Sequence, residues 1–235
     1  MNNQLDFRTG IRDTIPTAFG YIGIGLAFGV VARGAGHGPI ITLLMSLLAY
    51  SGTAQFIIVS MIAASSAYIS ILFAVLMVSA RMILVSMTVA PYLRHESMWR
   101  NVWLGTLITD ETFALTMSKL NYTDHKLNFD WLNAANIFAY SIWALSSVVG
   151  NLIGSLIPNP NAFGLDFALV AMFIGLLYLQ VIGDRAMGLL LQGLVVILVC
   201  VLMYLGLIFI PSSVLVLVVT VVACLLGMGV KHAFF

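Results

Sequence analysis

The feature that most constrains this chain is its succession of apolar runs, each about as long as a helix that crosses a membrane. Inside a bilayer no water can bond to the backbone, so such runs must fold as helices. The chain has 235 residues, of which 61% are hydrophobic and only 8% are charged. We therefore predict an all-α polytopic membrane protein that forms one domain over residues 1–235, with about eight transmembrane segments. The predicted segments are approximately Thr14–Ala32, Ile40–Ala64, Tyr68–Ala90, Asn101–Leu120, Trp131–Ile157, Gly164–Ile182, Ala186–Phe209 and Val214–Val230.

Several classes of function are disfavoured by the composition and by the motifs. The net charge is +1, so there is no basic patch for nucleic acid. HExxH, CxxC, GxSxG and Walker sequences do not occur, and no cofactor or metal is predicted. Cys200 and Cys224 lie in apolar runs and are predicted to be buried free thiols.

Two glycine pairs indicate close packing of helices. Gly25 and Gly29 form a GxxxG pair in the first run, and Gly150 and Gly154 have the same spacing in the fifth. Such pairs allow another helix to approach closely.

The fourth run, Asn101–Leu120, carries Asp110 and Glu111 at its middle. An acidic side chain at the centre of a membrane helix costs at least about 2.5 kcal/mol. One interpretation is a surface or re-entrant helix with both acids in water, and another is a structural ion pair. We favour a third, a span whose acids face a polar interior and handle protons or an amine.

The two acids are expected to play different parts. Adjacent residues on a helix point about 100° apart, so Asp110 and Glu111 should not both face one narrow cleft. Asp110 shares its face with Thr106, whereas Glu111 shares its face with Leu107 and Leu115. The difference predicts that one acid titrates while the other stays charged.

The second run, Ile40–Ala64, is interrupted by small and polar residues between Tyr50 and Gln55. It is either a straight span in which these residues pack and Gln55 bonds a neighbour, or a broken or re-entrant helix with Gly52 at the break. A break exposes backbone amides at mid-depth, which is tolerated only where they are buried or face a cavity. The second alternative makes Ser51, Gly52 and Gln55 candidate substrate contacts.

Arg81 lies well inside the third run, about 14 Å of helix before Ala90. Snorkelling to that end is a long reach, because helical side chains lean towards the N-terminus. We predict that Arg81 pairs with an internal acid or with an anionic substrate, which a guanidinium grips bidentately. Asp166 opens the sixth run and either caps a helix or belongs to the site.

Charge distribution favours a cytoplasmic N-terminus in a bacterial-type cytoplasmic membrane. This orientation assumes eight spans. If the second run is re-entrant, the number of spans falls to seven and the difference in positive charge between the two sides becomes less favourable. The cytoplasmic cations would be Arg8, Arg12, Lys119, Lys126, Arg185 and Lys231, and the external ones Arg33, Arg94 and Arg100.

Buried charges of both signs are more useful to a transporter than to a passive channel. A zwitterionic amino acid offers a carboxylate to Arg81 and an ammonium group to a buried acid. Its apolar side chain would fit a cleft lined by aliphatic and aromatic residues. A non-transporting membrane subunit or an intramembrane enzyme remains the alternative.

Five short motifs occur in order along the chain. They are FGYIGIGLAFGVVARGAG at 19–36, SGTAQF at 51–56, SARMIL at 79–84, TDETFAL at 109–115 and GLDFALVAMF at 164–173. With these motifs the chain resembles the AzlC-type proteins over residues 14–182. These are the large subunits of branched-chain amino acid exporters associated with azaleucine resistance. The resemblance implies export of branched-chain amino acids, driven by protons, with a small AzlD-type membrane subunit as partner.

Overall fold

The computed structural model describes residues 3–156, 174, 177–178, 181, 188–209 and 212–234. Every regular element in these ranges is helical, which confirms the predicted class of all-α membrane protein. A short 3₁₀ helix, Ala90–Leu93, follows the fifth α-helix. In chain order the α-helices are α1 (Phe7–Gly34), α2 (Pro39–Leu48), α3 (Gly52–Ala63), α4 (Tyr68–Ser79), α5 (Arg81–Val89), α6 (Met98–Leu107), α7 (Asp110–Leu120), α8 (Phe129–Gly154), α9 (Leu189–Phe209) and α10 (Ser212–Phe234).

Four helical runs in the described ranges are long and apolar enough to cross a membrane. They are Phe7–Gly34, Tyr68–Leu93, Phe129–Gly154 and Leu189–Ile208. Pro39–Leu48 and Gly52–Ala63 are apolar but shorter.

Helices α1 and α8 run parallel at the centre of the bundle. A Cβ atom added to Gly10 would meet the carbonyl oxygen of Trp131, and one added to Gly25 would meet the hydroxyl of Ser146. The contacting residues are 121 positions apart in the sequence at both places, which is the pattern of two parallel helices. We call the end at which α1 and α8 begin the lower end of the bundle, and the end at which they finish the upper end.

Both glycine pairs lie in this contact, as the sequence predicts. A Cβ atom on Gly29 would overlap the backbone of Ser147 and Asn151, and one on Gly150 would overlap the carbonyl of Leu26. Small residues on both helices thus let the two backbones touch.

Helices α2 and α3 form a first hairpin, which enters the bundle from the upper end and returns to it. Near that end, the Asn151 amide donates a hydrogen bond to Thr42 Oγ1 (2.8 Å). Half-way down, the Tyr140 hydroxyl donates to the carbonyl of Leu47 (2.8 Å), and α3 then runs back upward with Phe56 against α1. At 1.5 Å per residue the two helices are about 15 and 18 Å long, half the thickness of a bilayer core.

Helices α6 and α7 form a second hairpin, which enters from the lower end. Before α6, the Glu96 carboxylate accepts a hydrogen bond from the backbone N–H of Phe129 (3.1 Å), where α8 begins. The turn between α6 and α7 reaches Tyr21 at the middle of α1. Helix α7 then returns to the lower end, where Lys119 Nζ lies 2.7 Å from Asp13 Oδ2.

Two of the predicted spans are therefore hairpins. Ile40–Ala64 takes the broken alternative, but its break lies at 49–51, and Gly52 is the first residue of α3. For Asn101–Leu120 the prediction of a continuous span is wrong. Its helix stops after Leu107 because Thr109 caps a new helix, accepting a hydrogen bond from the backbone N–H of Thr112.

The third predicted span, by contrast, is one helical run from the upper to the lower end. Ala80 joins α4 to α5 with helical dihedral angles and places Arg81 at mid-depth. Residues 7–63 and 68–120 consequently share one order, a crossing followed by a hairpin, in opposite orientations. This is the inverted arrangement that many transporters use.

The hairpins also relocate several charges. Arg94 and Arg100 lie at the lower end with Arg8 and Arg12, so placing them on the opposite side was wrong. The reason is that the first hairpin returns to the upper end, so the crossing that follows it, Tyr68–Leu93, ends at the lower end and not at the upper one. Lys119 stays at the same end as Arg8 and Arg12 but has no exposed surface.

The C-terminal helices α9 and α10 pack against each other. Cys200 and Cys224 are free, as predicted, but exposed, so the prediction of burial was wrong. Both side chains lie on surfaces that the described helices leave uncovered. Asp166 and most of the sixth predicted run lie outside the described residues.

Candidate functional site

The tips of the two hairpins meet half-way between the ends of the bundle, and a cavity lies where they meet. This central cavity is beside Tyr21, about 20 Å of helix from either end of α1. Its lining consists of Tyr21, Tyr50, Ser51, Gly52, Thr53, Arg81, Met82, Thr109, Asp110, Glu111 and Trp143. The space that the centre of a water molecule can occupy is about 20 Å³, room for about one water. An amino acid therefore requires a wider conformation.

One side of the cavity carries positive charge. Arg81 Nη2 lies 2.8 Å from Asp110 Oδ2 and donates a hydrogen bond to Thr53 Oγ1 (3.1 Å). The side chains of Arg81 and Asp110 are 33% and 23% exposed, so this pair is partly open to solvent. Pairing of Arg81 with an internal acid is confirmed.

The N-terminus of α3 adds to this positive side. The first amides of a helix have no partner within the helix and carry its positive partial charge. The Ser51 side chain makes no capping hydrogen bond to them. Gly52 and Thr53, which belong to this first turn, line the cavity next to Arg81.

The first turn of α7 supplies two acids to the cavity. Asp110 and Glu111 are the first residues of α7, and both line the cavity. The expectation that they could not share a cleft was wrong, because the cavity lies at the end of the helix and not along its side. The Tyr21 hydroxyl donates a hydrogen bond to Glu111 Oε2 (3.2 Å) and also bonds the hydroxyl of Thr109.

An aromatic wall closes the cavity from the side of α8. The Trp143 indole is buried, stacked on Phe28 with ring centroids 6.3 Å apart and 19° between planes. It also meets Tyr21 edge-on, with centroids 6.0 Å apart. The cavity thus combines an apolar wall with charges of both signs.

Gln55 lies outside the cavity lining. Its amide nitrogen donates hydrogen bonds to the carbonyls of Met45 (3.0 Å) and Ala49 (2.8 Å) at the end of α2. Its amide oxygen accepts from Trp143 Nε1 (3.2 Å). Gln55 therefore satisfies the carbonyls of a helix that ends inside the bundle, and it fixes the indole.

No group of three or more histidine, cysteine or acidic side chains suited to a metal occurs among the described residues. The chemistry that the cavity offers is recognition of an ion or a zwitterion by fixed charges, in a place where water is scarce. Such interactions are stronger there than in bulk water.

A family model described as AzlC protein matches residues 16–157, which include both hairpins and every residue that lines the cavity. The chain belongs to the AzlC family.

Relatives of this AzlC-family chain are themselves membrane proteins. A membrane protein of Helicobacter pylori strain J99 is 29% identical over 173 residues, covering 72% of each chain. The Escherichia coli inner membrane protein YgaZ is 29% identical over 73% of this chain and 71% of its own. The Bacillus subtilis branched-chain amino acid transport protein AzlC is 26% identical over 72% of this chain and 65% of its own. No solved structure matches this chain.

Several lining residues of this AzlC-family cavity were not predicted from the sequence. Trp143 could have been found, because it lies in the middle of a span, whereas membrane tryptophans are enriched at the interfaces. Thr109 directly precedes two acids, which is typical of a helix start. Tyr21 and Met82 carry no comparable signal, since only the tertiary structure brings them to the cavity.

Proposed function

We propose that this AzlC-family protein is a secondary transporter that exports branched-chain or similar neutral amino acids and is coupled to protons, rather than an enzyme. The observation that carries the proposal is the central cavity. It lies at mid-depth between two opposed hairpins and combines a guanidinium, two carboxylates and an aromatic wall. The B. subtilis relative is a branched-chain amino acid transport protein, in agreement with this substrate class.

In the proposed mechanism, two ion pairs with the substrate replace the ion pair between Arg81 and Asp110. The Arg81–Asp110 pair separates, so that the substrate carboxylate meets Arg81 and the substrate ammonium group meets Asp110. The first-turn amides at Gly52 and Thr53, with the Ser51 hydroxyl, supply further donors for the carboxylate. A molecule that lacks the carboxylate or the ammonium group would leave either Arg81 or Asp110 without a partner, which is costly in a buried site.

Glu111 is assigned the proton. It faces the cavity beside Asp110 but bonds Tyr21, and it is not part of the Arg81 ion pair. Protonation of Glu111 removes one negative charge from the cavity without disturbing the carboxylate that meets the substrate.

Alternating access follows from the two hairpins. The cavity in this conformation holds about one water molecule, so an amino acid enters only if one of the hairpins is displaced. Displacement of the first hairpin opens it towards the upper end, and displacement of the second opens it towards the lower end. Inverted repeats commonly exchange access in this way.

We also propose that the lower end faces the cytoplasm. Five exposed cations lie at this end in residues 3–156, while the exposed Arg33 lies at the upper end, and cytoplasmic loops of membrane proteins are enriched in lysine and arginine. The five are Arg8, Arg12, Arg94, Arg100 and Lys126.

The test is efflux of labelled valine from proteoliposomes with an imposed pH gradient. We expect the wild type to release valine faster when the gradient is present. Arg81→Gln and Asp110→Asn should each abolish efflux at any gradient, whereas Glu111→Gln should keep efflux but abolish its response to the gradient. Arg100→Gln is the matched control, because Arg100 also pairs with an acid, at 2.9 Å from Glu96, but 56% of its side chain is exposed.

Wild-type vesicles that retain valine, leucine and isoleucine alike would refute the assignment of substrate. Unchanged gradient-driven efflux in Glu111→Gln would refute the assignment of coupling. The resemblance to AzlC-type proteins further implies a small AzlD-type subunit. The same assay with and without that protein shows whether efflux requires it.

A further inference from the structure

Trp143 presents the far edge of its indole to the N-terminus of α3. A Cβ atom added to Gly52 would lie 3.0 Å from Cη2 of Trp143, closer than carbon atoms normally pack. Gly52 thus makes room for the indole, and the indole covers the place where the helix amides face the cavity.

The indole is held in place from several directions. It stacks on Phe28, meets Tyr21 edge-on and donates a hydrogen bond from Nε1 to Gln55 (3.2 Å). It is 2% exposed. By contrast, the other apolar side chain at this part of the lining, Met82, has three rotatable bonds and adapts its shape.

A rigid wall at this position restricts what can be attached to the substrate's Cα atom. In the proposed function, Arg81 and the amides at Gly52 hold the carboxylate, which leaves the Cα substituent within a few ångströms of the same residues. We infer that Trp143 sets the upper size limit of the transported amino acid's side chain, with Gly52 fixing how far the indole reaches into the cavity. This inference rests on the proposed function of the cavity.

Two substitutions change that reach in opposite directions. Trp143→Phe keeps a ring against Phe28 but removes the outer edge of the indole, so the cavity deepens. Gly52→Ala adds a methyl group that pushes the indole into the cavity, so the cavity narrows. In the double variant the shorter ring no longer meets the new methyl group.

The measurement is the ratio of leucine to valine efflux from the same proteoliposomes loaded with both labelled amino acids. A ratio cancels differences in the amount of active protein. One methylene group in an apolar pocket changes a rate ratio by about 10-fold or more. We therefore expect the leucine-to-valine ratio to rise about 10-fold in Trp143→Phe and to fall about 10-fold in Gly52→Ala. The double variant should return to within about 3-fold of the wild type.

Trp99→Phe is the matched control, because Trp99 is 84% exposed and far from the cavity. Its ratio should equal that of the wild type. Variants are compared after size-exclusion chromatography shows the wild-type elution volume. If Trp143→Phe does not elute as a folded protein, the test rests on Gly52→Ala, which adds only one methyl group. A lower leucine-to-valine efflux ratio than that of the wild type then supports the inference, and an unchanged or higher ratio overturns it.

Efflux of valine and leucine with unchanged ratios in these variants would overturn the role of Trp143 while leaving the proposed function intact. Absence of efflux of any amino acid by the wild type would instead contradict the proposed function itself. A fall in both rates without a change in their ratio also overturns the inference, since a purely structural role would have that effect.

Discussion

The strongest test of the architecture is the buried ion pair between Asp13 on α1 and Lys119 on α7. Lys119 has no exposed surface, and the side chain of Asp13 is 9% exposed. Asp13 Oδ2 accepts hydrogen bonds from Lys119 Nζ (2.7 Å) and from Trp131 Nε1 (3.1 Å), and the Lys119 ammonium lies 5.4 Å from the centre of the Trp131 ring. Replacing Lys119 by Met keeps an unbranched side chain that is one atom shorter, and it removes the charge.

The expected loss in unfolding free energy follows from the geometry of the ion pair. At 2.7 Å and an effective dielectric constant of about 20, the attraction is about 6 kcal/mol. Desolvation offsets much of this, and removing one partner of a buried pair typically costs about 3–5 kcal/mol because the other charge stays buried. We expect such a loss in unfolding free energy from Lys119→Met and a similar one from Asp13→Asn. The double variant should lose about 1 kcal/mol, because Asn still accepts from Trp131 and no charge remains.

The assay is unfolding of the purified protein in mixed micelles by sodium dodecyl sulfate, followed by tryptophan fluorescence. The four proteins form a double-mutant cycle, and the expected coupling, which is the sum of the two single losses minus the double loss, is about 5 kcal/mol or more. Arg100→Met, at an exposed ion pair, is the control and should cost less than about 1 kcal/mol. Additive single losses below about 1 kcal/mol would refute the placement of Lys119 inside the bundle, and with it the return of α7 to the lower end.

Two further predictions concern packing and pH. Gly29→Ala should destabilise the protein by about 1–3 kcal/mol because its methyl group meets the backbone of α8. Gly23→Ala, which has open space, should be neutral or slightly stabilising in the same unfolding assay, and equal effects would contradict the close packing. The hydrogen bond from Arg100 holds the pKa of Glu96 below its ordinary value of 4.5, so the charged carboxylate stabilises the fold above pH 4.5 and this contribution is lost as the pH falls below that value. Glu96→Gln should therefore lower the melting temperature at pH 7 and progressively less below pH 4.5, and a pH-independent difference would exclude this origin.

The sequence alone was sufficient for the class of fold and for the main charged groups of the site. Apolar runs in a bilayer must form helices, because the backbone has no other partners there. Charges inside such runs are costly and therefore need a protein interior, which singled out Arg81, Asp110 and Glu111, and all three line the cavity. The glycine pairs predicted a close helix contact because small residues have few other uses at that spacing.

The sequence could not tell a span from a hairpin. Asn101–Leu120 has the length of a crossing, and nothing local shows that its two halves turn back on each other. The direction of its second half, α7, is decided by contacts with residues far away in the sequence, such as Lys119 with Asp13 and Thr109 with Tyr21. Ile40–Ala64 likewise has the length of a crossing but is a hairpin, and counting it as a crossing placed Arg94 and Arg100 at the wrong end.

The composition of the cavity was also decided by the tertiary structure. Asp110 and Glu111 diverge along a continuous helix but converge on a cavity at the end of one, so only the break after Leu107 lets both face it. Trp143 joins them because the parallel packing of α1 and α8 brings it beside Tyr21. Local sequence thus determined which segments are helical and which charges need a protein interior. Long-range packing determined where each helix turns back and which side chains meet, because those energies depend on contacts between residues far apart in the chain.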